Sequence, residues 1–135
     1  MASSHLPEPF LAFPTRFADD EMRRLLTKAA MRLFDDWQLT NSERLRLLGY
    51  SPRAHNVIRR YRQGAVIQKN SDAVIRVRLL LPIHRRLTTL LGHNLAAQQD
   101  WLRDPHDQLD HQTPLATMAD PDLNGLVQVH QLIRA

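Results

Sequence analysis

Apolar residues recur at three- and four-residue steps along most of the chain, which is the spacing of one face of an α-helix. The first such stretch predicts a helix from Ala18 to Trp37, with acidic residues in its first turn, where the helix dipole favours anions. Its apolar face comprises Met22, Leu25, Leu26, Ala29, Ala30, Leu33 and Phe34. Residues 1–16 hold three prolines and show no helical period, so we expect a mobile arm there.

A second, shorter helix is predicted over Ser42–Leu48. Thr40 and Glu43 stand three residues apart at its start, which is the spacing of a capping box. Gly49 follows directly and can take the left-handed conformation that ends many helices.

The next helix is expected to form the second half of a helix-turn-helix. Ser51 is a good N-cap residue, and proline is favoured at the first helical position, so the helix should run over Pro52–Arg62 and end near Gly64. A short helix, a glycine turn and a capped helix with basic residues on its outer face are typical of this motif.

The remaining pattern predicts four more helical segments, so the fold class is all-α. The segments are Asp72–Leu91, with Pro82 expected to kink or split it, then Leu95–Leu102, Leu115–Ala119 and Leu123–Arg134. We expect a helix-turn-helix domain over residues 17–70, and a long helix with a small helical domain over residues 71–135.

Charge divides the chain unevenly. Residues 41–99 carry eleven Lys or Arg against two acids, a balance of +9, whereas residues 100–135 carry two against six, a balance of −4. A basic middle and an acidic tail suggest that the middle binds a polyanion and that the tail binds something else. The whole-chain net charge of +4 conceals this division.

Composition sets the remaining bounds. There is no cysteine, which excludes disulfides and suits a reducing compartment. The first residues lack the basic and apolar regions of a signal peptide, and no apolar run is long enough for a membrane span. We therefore expect a cytoplasmic protein that does not bind membranes.

The helix-turn-helix prediction singles out candidate DNA-binding residues. Residues at the start of a recognition helix meet base edges, and basic residues further along it bind phosphates. The expected base contacts are Ser51, Arg53, His55 and Asn56, and the expected phosphate contacts are Arg59, Arg60, Arg62 and Lys69. The alternative is an ordinary solvated basic face, but +9 over this stretch exceeds what solubility requires.

Two stretches together resemble the Xre/MbcA/ParS family, the antitoxins of RES-domain toxins. One is the helix-turn-helix segment SERLRLLGYSPRAHNVIRRYRQG; the other is the tail AQQDWLRDPHDQLDHQTPLATMADPDLNGLVQVHQLIRA, with its Trp-Leu-x-x-Pro and Thr-Pro-Leu-x-x-Met motifs. The resemblance covers roughly residues 37–135. The chain departs from the family at His106, usually Asn, and before Thr113, where the family usually has Gly.

This resemblance implies a type II antitoxin. Such a protein would bind a cognate RES-domain toxin that degrades NAD, block the toxin's active site, and repress its own operon through the helix-turn-helix. Residues 71–135 would then include the toxin-binding domain. We further expect DNA binding and toxin neutralisation to be separable, so that truncation after Pro105 abolishes protection from the toxin and leaves promoter binding at least partly intact.

Apolar residues of the tail are the expected toxin contacts. Those around the two motifs are Trp101, Leu102, Pro105, Pro114, Leu115 and Met118, and those on the last helix are Leu126, Val129, Leu132 and Ile133. The alternative is that they complete the chain's own core, and for Trp101 that alternative is the stronger one.

The long helix Asp72–Leu91 has more apolar positions than one face of a small domain hides. We therefore expect a homodimer that uses part of this helix, within a larger toxin–antitoxin complex. A two-fold dimer also suits a palindromic operator. The alternative is a central core helix.

No catalysis, metal or cofactor is expected. His106, Asp107, Asp110 and His111 place four possible ligands in six residues, but they lie in a polar, proline-flanked stretch without a matching distant cluster. Two other functions stay open: a free-standing helix-turn-helix repressor whose tail dimerises or senses a ligand, and a small metal-dependent hydrolase using residues 106–111.

Overall fold

The computed structural model describes residues 20–134, which form seven α-helices. They are α1 (Asp20–Asp36), α2 (Asn41–Leu47), α3 (Val57–Arg62), α4 (Asp72–Leu91), α5 (Leu95–Arg103), α6 (Pro114–Met118) and α7 (Asn124–Arg134), with a 3-10 turn at Asp107–Leu109. No strand occurs in this range, and the all-α prediction is confirmed. The arm expected over residues 1–16, and the expected helix start at Ala18, lie outside the described residues.

Most helix starts follow the predicted capping chemistry. The Thr40 hydroxyl accepts the Glu43 N–H at 3.1 Å, and the Glu43 carboxylate accepts the Thr40 N–H at 2.8 Å, so the capping box is confirmed. Ser71 and Asn94 likewise cap α4 and α5 through their side-chain oxygens. Helix starts were predictable because these side chains satisfy backbone donors locally.

The start of α3 was predicted wrongly: it begins at Val57, not at Pro52. The Ser51 hydroxyl accepts the Arg53 N–H at 3.2 Å, and the Ser51 carbonyl accepts the Ala54 N–H at 3.0 Å. These bonds close a turn, not a helical ladder. Serine and proline favour turns as strongly as helix starts, and here the turn is formed.

Pro82 does not split α4, which is one helix of 20 residues. A proline inside a helix removes one backbone donor and crowds the preceding turn. Leu79, Leu80 and Ile83, which flank it, are fully buried, so packing on both sides of Pro82 holds the helix together. Of the two expected outcomes, the split does not occur, because burial outweighs the loss of one hydrogen bond, and the kink stays a prediction.

A single hydrophobic cluster runs through both halves of the chain, with α4 at its centre. This helix packs on α1 on one side and on α7 on the other. Phe34 of α1, and Trp37 directly after it, enter the same cluster as Leu126 and Val129 of α7. Leu25 is an exception to the predicted face of α1, since 56% of it is exposed. The predicted division near residue 70 stays a prediction, and the core is continuous across it.

The closest helix contact in the tail depends on a glycine. A Cβ atom added to Gly125, in the first turn of α7, would lie 2.0 Å from the carbonyl oxygen of Thr117 in α6. That distance is far inside van der Waals contact, so α6 and α7 can approach this closely only with glycine at this position.

Candidate functional site

The predicted DNA-binding residues lie on an exposed surface formed by the turn over residues 51–56, α3 and the segment that follows it. All eight are exposed: Ser51, Arg53, His55, Asn56, Arg59, Arg60, Arg62 and Lys69. We call this set the basic surface. Val57 and Ile58 face inward and anchor α3 to the core, so the polar side chains are left outside.

Three arginines of the basic surface differ in whether a carboxylate of the chain pairs with them. Within residues 20–134, Arg53 and Arg60 have no ion pair. Arg62, by contrast, donates to the Asp35 carboxylate of α1 at 2.5 Å, and Arg44 donates to the same carboxylate at 3.0 Å. Hydrogen bonds from Arg62 and Arg44 hold the pKa of Asp35 below its usual value. Asp35 thus offsets part of the charge of Arg62.

Two neighbouring side chains at the start of α3 are already bonded to each other. Arg59 donates from Nη2 to Oδ1 of Asn56 at 3.0 Å. This bond occupies the acceptor of Asn56 and leaves its amide as a donor. The pair therefore presents mainly donors outward, which suits phosphate oxygens and the acceptor edge of guanine.

A pair of tyrosines fixes α3 against the turn after α2. The hydroxyls of Tyr50 and Tyr61 are 2.6 Å apart and share a hydrogen bond. Burial, followed by this bond to Tyr50, raises the pKa of Tyr61 well above its usual value. The Tyr61 hydroxyl therefore stays protonated at neutral pH, and its bond to Tyr50 helps to hold the basic surface in place.

Most of the predicted toxin contacts lie inside the chain's own core. Leu102, Pro114, Leu115, Met118, Leu126, Val129 and Ile133 are buried, Trp101 and Leu132 are half-buried, and only Pro105 is exposed. The alternative interpretation, that these residues complete the chain's own core, therefore accounts for seven of them in this conformation. A role in toxin contact remains a prediction, and it falls chiefly on Trp101, Pro105 and Leu132.

A buried arginine that was not singled out from the sequence joins the two halves, because it meets the Leu47 carbonyl of the first half at 3.5 Å and three carbonyls of the second. Arg76 of α4 is 1% exposed. Its guanidinium donates to the carbonyls of Asp120 and Pro121 at 2.7 Å each, and to that of Met118 at 3.3 Å. Burial lowers its pKa, while nearby aspartates oppose that shift. Arg76 lies on the inward face of α4 together with Ala73, Val77 and Leu80. Its helical spacing relative to these apolar residues is the sequence signal that could have indicated its burial.

Two further polar contacts cross the same boundary. Arg103 of α5 makes a two-pronged ion pair with the Glu43 carboxylate of α2, at 2.8 and 3.0 Å. The buried Gln98 accepts from Nε1 of Trp37 at 3.3 Å and donates to the Gly92 carbonyl at 3.0 Å. Both contacts tie α5 to the first half of the chain.

A groove opens where α2 meets α6. It has a volume of about 560 Å³ and is lined by Glu43, Arg46, Arg103, Thr113, Leu115, Ala116, Ala119, Asp120 and Pro121. A neighbouring cavity of about 240 Å³ shares Arg46, Ala119 and Pro121 with it. Of its lining residues, Leu115 alone was a predicted toxin contact, and the groove itself was not predicted because it forms only when the two halves pack together.

Comparison with known proteins identifies the tail. Residues 86–135 match the family model of the antitoxin Xre/MbcA/ParS C-terminal toxin-binding domain. This match supports the resemblance of the chain to the Xre/MbcA/ParS antitoxin family. The match spans α5, α6 and α7, and it includes Arg103 and the loop whose carbonyls bind Arg76. No curated protein matches the chain.

Among residues 20–134, no group of three or more His, Cys, Asp or Glu side chains is arranged to hold a metal ion. Asp107 and His111 lie 3.0 Å apart, but both are highly exposed. No helix in the described range has the length and apolar character needed to cross a membrane.

Proposed function

We propose that this antitoxin binds and blocks the active site of a RES-domain, NAD-degrading toxin. The toxin-binding domain over residues 86–135 is the observation that supports the proposal most strongly. The tail carries a balance of −4, which suits docking beside the positively charged pocket that a nucleotide-consuming enzyme needs.

The toxin proposal is tested by co-expression. The antitoxin is expressed together with the RES-domain protein encoded beside its gene, and cellular NAD and growth are followed. We expect NAD and growth to be maintained with the antitoxin and to collapse without it. Unchanged NAD loss in its presence, or no RES-domain gene beside it, would contradict the proposal.

We also propose that the antitoxin represses its own operon by binding operator DNA through the basic surface. Exposure of all eight predicted residues and the uncompensated charge of Arg53 and Arg60 support this. Because phosphate contacts release counterions, the affinity should fall steeply with salt. Gel shifts with the promoter fragment at increasing salt provide the test, and binding equal to that of an unrelated fragment at every salt concentration would contradict it.

A homodimer remains the proposed assembly for operator binding, in the cytoplasm, where operator DNA is found. Most apolar residues of α4 are used in the core, which leaves Ile75 and Leu90 exposed, 36% and 52% respectively. A dimer through α4 would have to use these two. Light scattering that returns only the 15.6 kDa monomer at micromolar concentration would contradict it.

The second candidate function, a free-standing repressor, is favoured by the same basic surface. It differs from the first in what it expects of the tail, because a repressor needs no toxin. The match to a toxin-binding domain therefore favours the antitoxin with autorepression. Co-expression separates the two, since only the first function protects NAD.

A further inference from the structure

We propose that the groove between α2 and α6 receives a toxin segment that presents an Asp or Glu carboxylate beside an apolar side chain. This inference rests on the proposed toxin binding and goes beyond it, because it assigns a place on the antitoxin and a chemistry to the bound segment. Three features of the groove support it: its lining, its charges, and the domain to which it belongs.

The lining suits an apolar side chain. Leu115, Ala116, Ala119 and Pro121 supply the apolar part, and of these Ala116 and Pro121 are exposed. The volume of about 560 Å³ lies in the range of known ligand sites, which are mostly apolar with a few placed polar groups. Small alanine side chains leave room there that a partner's side chain can fill.

Among the charged residues that line the groove, Arg46 has no carboxylate partner in the described part of the chain. The carboxylate of Glu43 is already paired with Arg103, and Asp120 lies close to buried Arg76, whose charge it helps to offset. Arg46 is exposed and has no ion pair among residues 20–134. It lines both the groove and the neighbouring cavity, so a carboxylate entering either one would meet its guanidinium.

The position of the groove favours the toxin over a second copy of the chain. Seven of its nine lining residues lie within the toxin-binding domain of residues 86–135. The large exposed apolar residues that self-association would use lie elsewhere, and none lines the groove: Leu25, Ile75, Leu90 and Leu95. A dimer built on those residues leaves the groove open.

Random peptides displayed on phage and selected on the full-length antitoxin test the chemistry. We expect enrichment of peptides with Asp or Glu next to an apolar residue. Their binding should fall at least about tenfold on Ala116→Trp, which fills the groove, and on Arg46→Glu. The matched controls Ala96→Trp and Arg85→Glu, both at exposed helix positions outside the groove, should bind like the wild type.

Charge exchange makes this test sharper. Replacing the acidic residue of an enriched peptide by Lys should abolish binding to the wild type and restore binding to Arg46→Glu. Enrichment of peptides without an acidic residue, or equal binding by Ala116→Trp, would overturn the inference. Arg46→Glu that loses promoter binding but keeps peptide binding would assign Arg46 to DNA and would overturn it as well.

Inhibition of the RES-domain protein's NAD breakdown separates this inference from the proposed function. A wild-type antitoxin that fails to inhibit overturns the toxin proposal and, with it, the toxin as occupant. If the wild type and Ala116→Trp inhibit equally well, only the assignment of the groove as a toxin-binding site is overturned. Weaker inhibition by Ala116→Trp and Arg46→Glu, with both controls unchanged, supports it.

Discussion

The basic surface and the tail were both singled out from sequence, but their predicted residues differ in how far they are exposed. All eight residues predicted for the basic surface are exposed, whereas seven of the ten predicted toxin contacts are buried in the chain's own core. Charged side chains are costly to bury, so a cluster of them usually marks a surface. Apolar residues at helical spacing mark a buried face, whatever else the domain binds.

Removing the tail is the strongest way to test this contrast. Truncation after Pro105 deletes Leu109, Met118, Leu126 and Val129 from the core, and with them α7, which packs on α4. We therefore expect the truncated chain to lose its cooperative melt and its DNA binding together. DNA binding should not survive the loss of the tail. Circular dichroism against temperature measures this. A cooperative melt close to that of the full chain would restore the earlier expectation of separable halves.

Substitution at the crossing of α6 and α7 should have the next largest effect. Gly125→Ala forces a methyl group to within 2.0 Å of the Thr117 carbonyl unless the helices move apart, so it should cost about 3 kcal/mol of unfolding free energy. Urea denaturation measures the loss. Gly64→Ala is the control: its Cβ meets nothing within 4 Å, so only the positive φ of Gly64 opposes it, at about 1 kcal/mol. Equal losses would mean that the close crossing is not a constraint.

On the basic surface, substitutions should change binding and leave stability alone. Arg53→Ala and Asn56→Ala should each weaken promoter binding by about 1–3 kcal/mol and relax sequence preference. Arg62→Ala should act alike on all sequences, and more weakly, because Asp35 already offsets part of its charge. Gel shifts and melts are compared with Arg24→Ala, an exposed arginine of α1. Wild-type binding by all three variants would rule out DNA contact by these residues.

The smallest expected effect concerns a titrating group inside the tail. Burial, with the charges of Arg134 and Arg86, lowers the pKa of His130 below its usual value of 6.5. Its contribution to stability is therefore complete above the unfolded pKa and is lost as pH falls below about 6.5 towards the folded value. His130→Leu should flatten the pH dependence of the melting temperature in that range. The wild type is measured beside the variant, and the same slope in both proteins would contradict the burial argument.

The features predicted correctly from sequence depend on bonds between residues that are close together in the chain. Thr40 and Glu43 cap α2 through bonds three residues apart, so the pattern alone determined the start of the helix. Ser51 and Pro52 permit either a turn or a helix start, and only the surrounding packing selects the turn. Pro82 is tolerated for a similar reason, because its neighbours are buried by α1 and α7.

The boundary between the halves could not be predicted, because its contacts are distant in the chain. Arg76 meets the Leu47 carbonyl, and Arg103 meets Glu43, over separations of 29 and 60 residues. The groove exists only because these contacts bring α2 beside α6. The toxin-binding domain itself was recognisable, since its Trp-Leu-x-x-Pro and Thr-Pro-Leu-x-x-Met motifs survive in the sequence.

The most direct test of the account uses purified RES-domain protein and follows its breakdown of NAD. The assay is titrated with the wild-type antitoxin and with Arg53→Ala/Arg60→Ala, whose basic surface is weakened while the tail is untouched. We expect both proteins to stop NAD breakdown at the same molar ratio, although only the wild type binds the promoter. Continued NAD breakdown at excess wild-type antitoxin, or loss of inhibition in the variant, would contradict an antitoxin with two separate surfaces on one core.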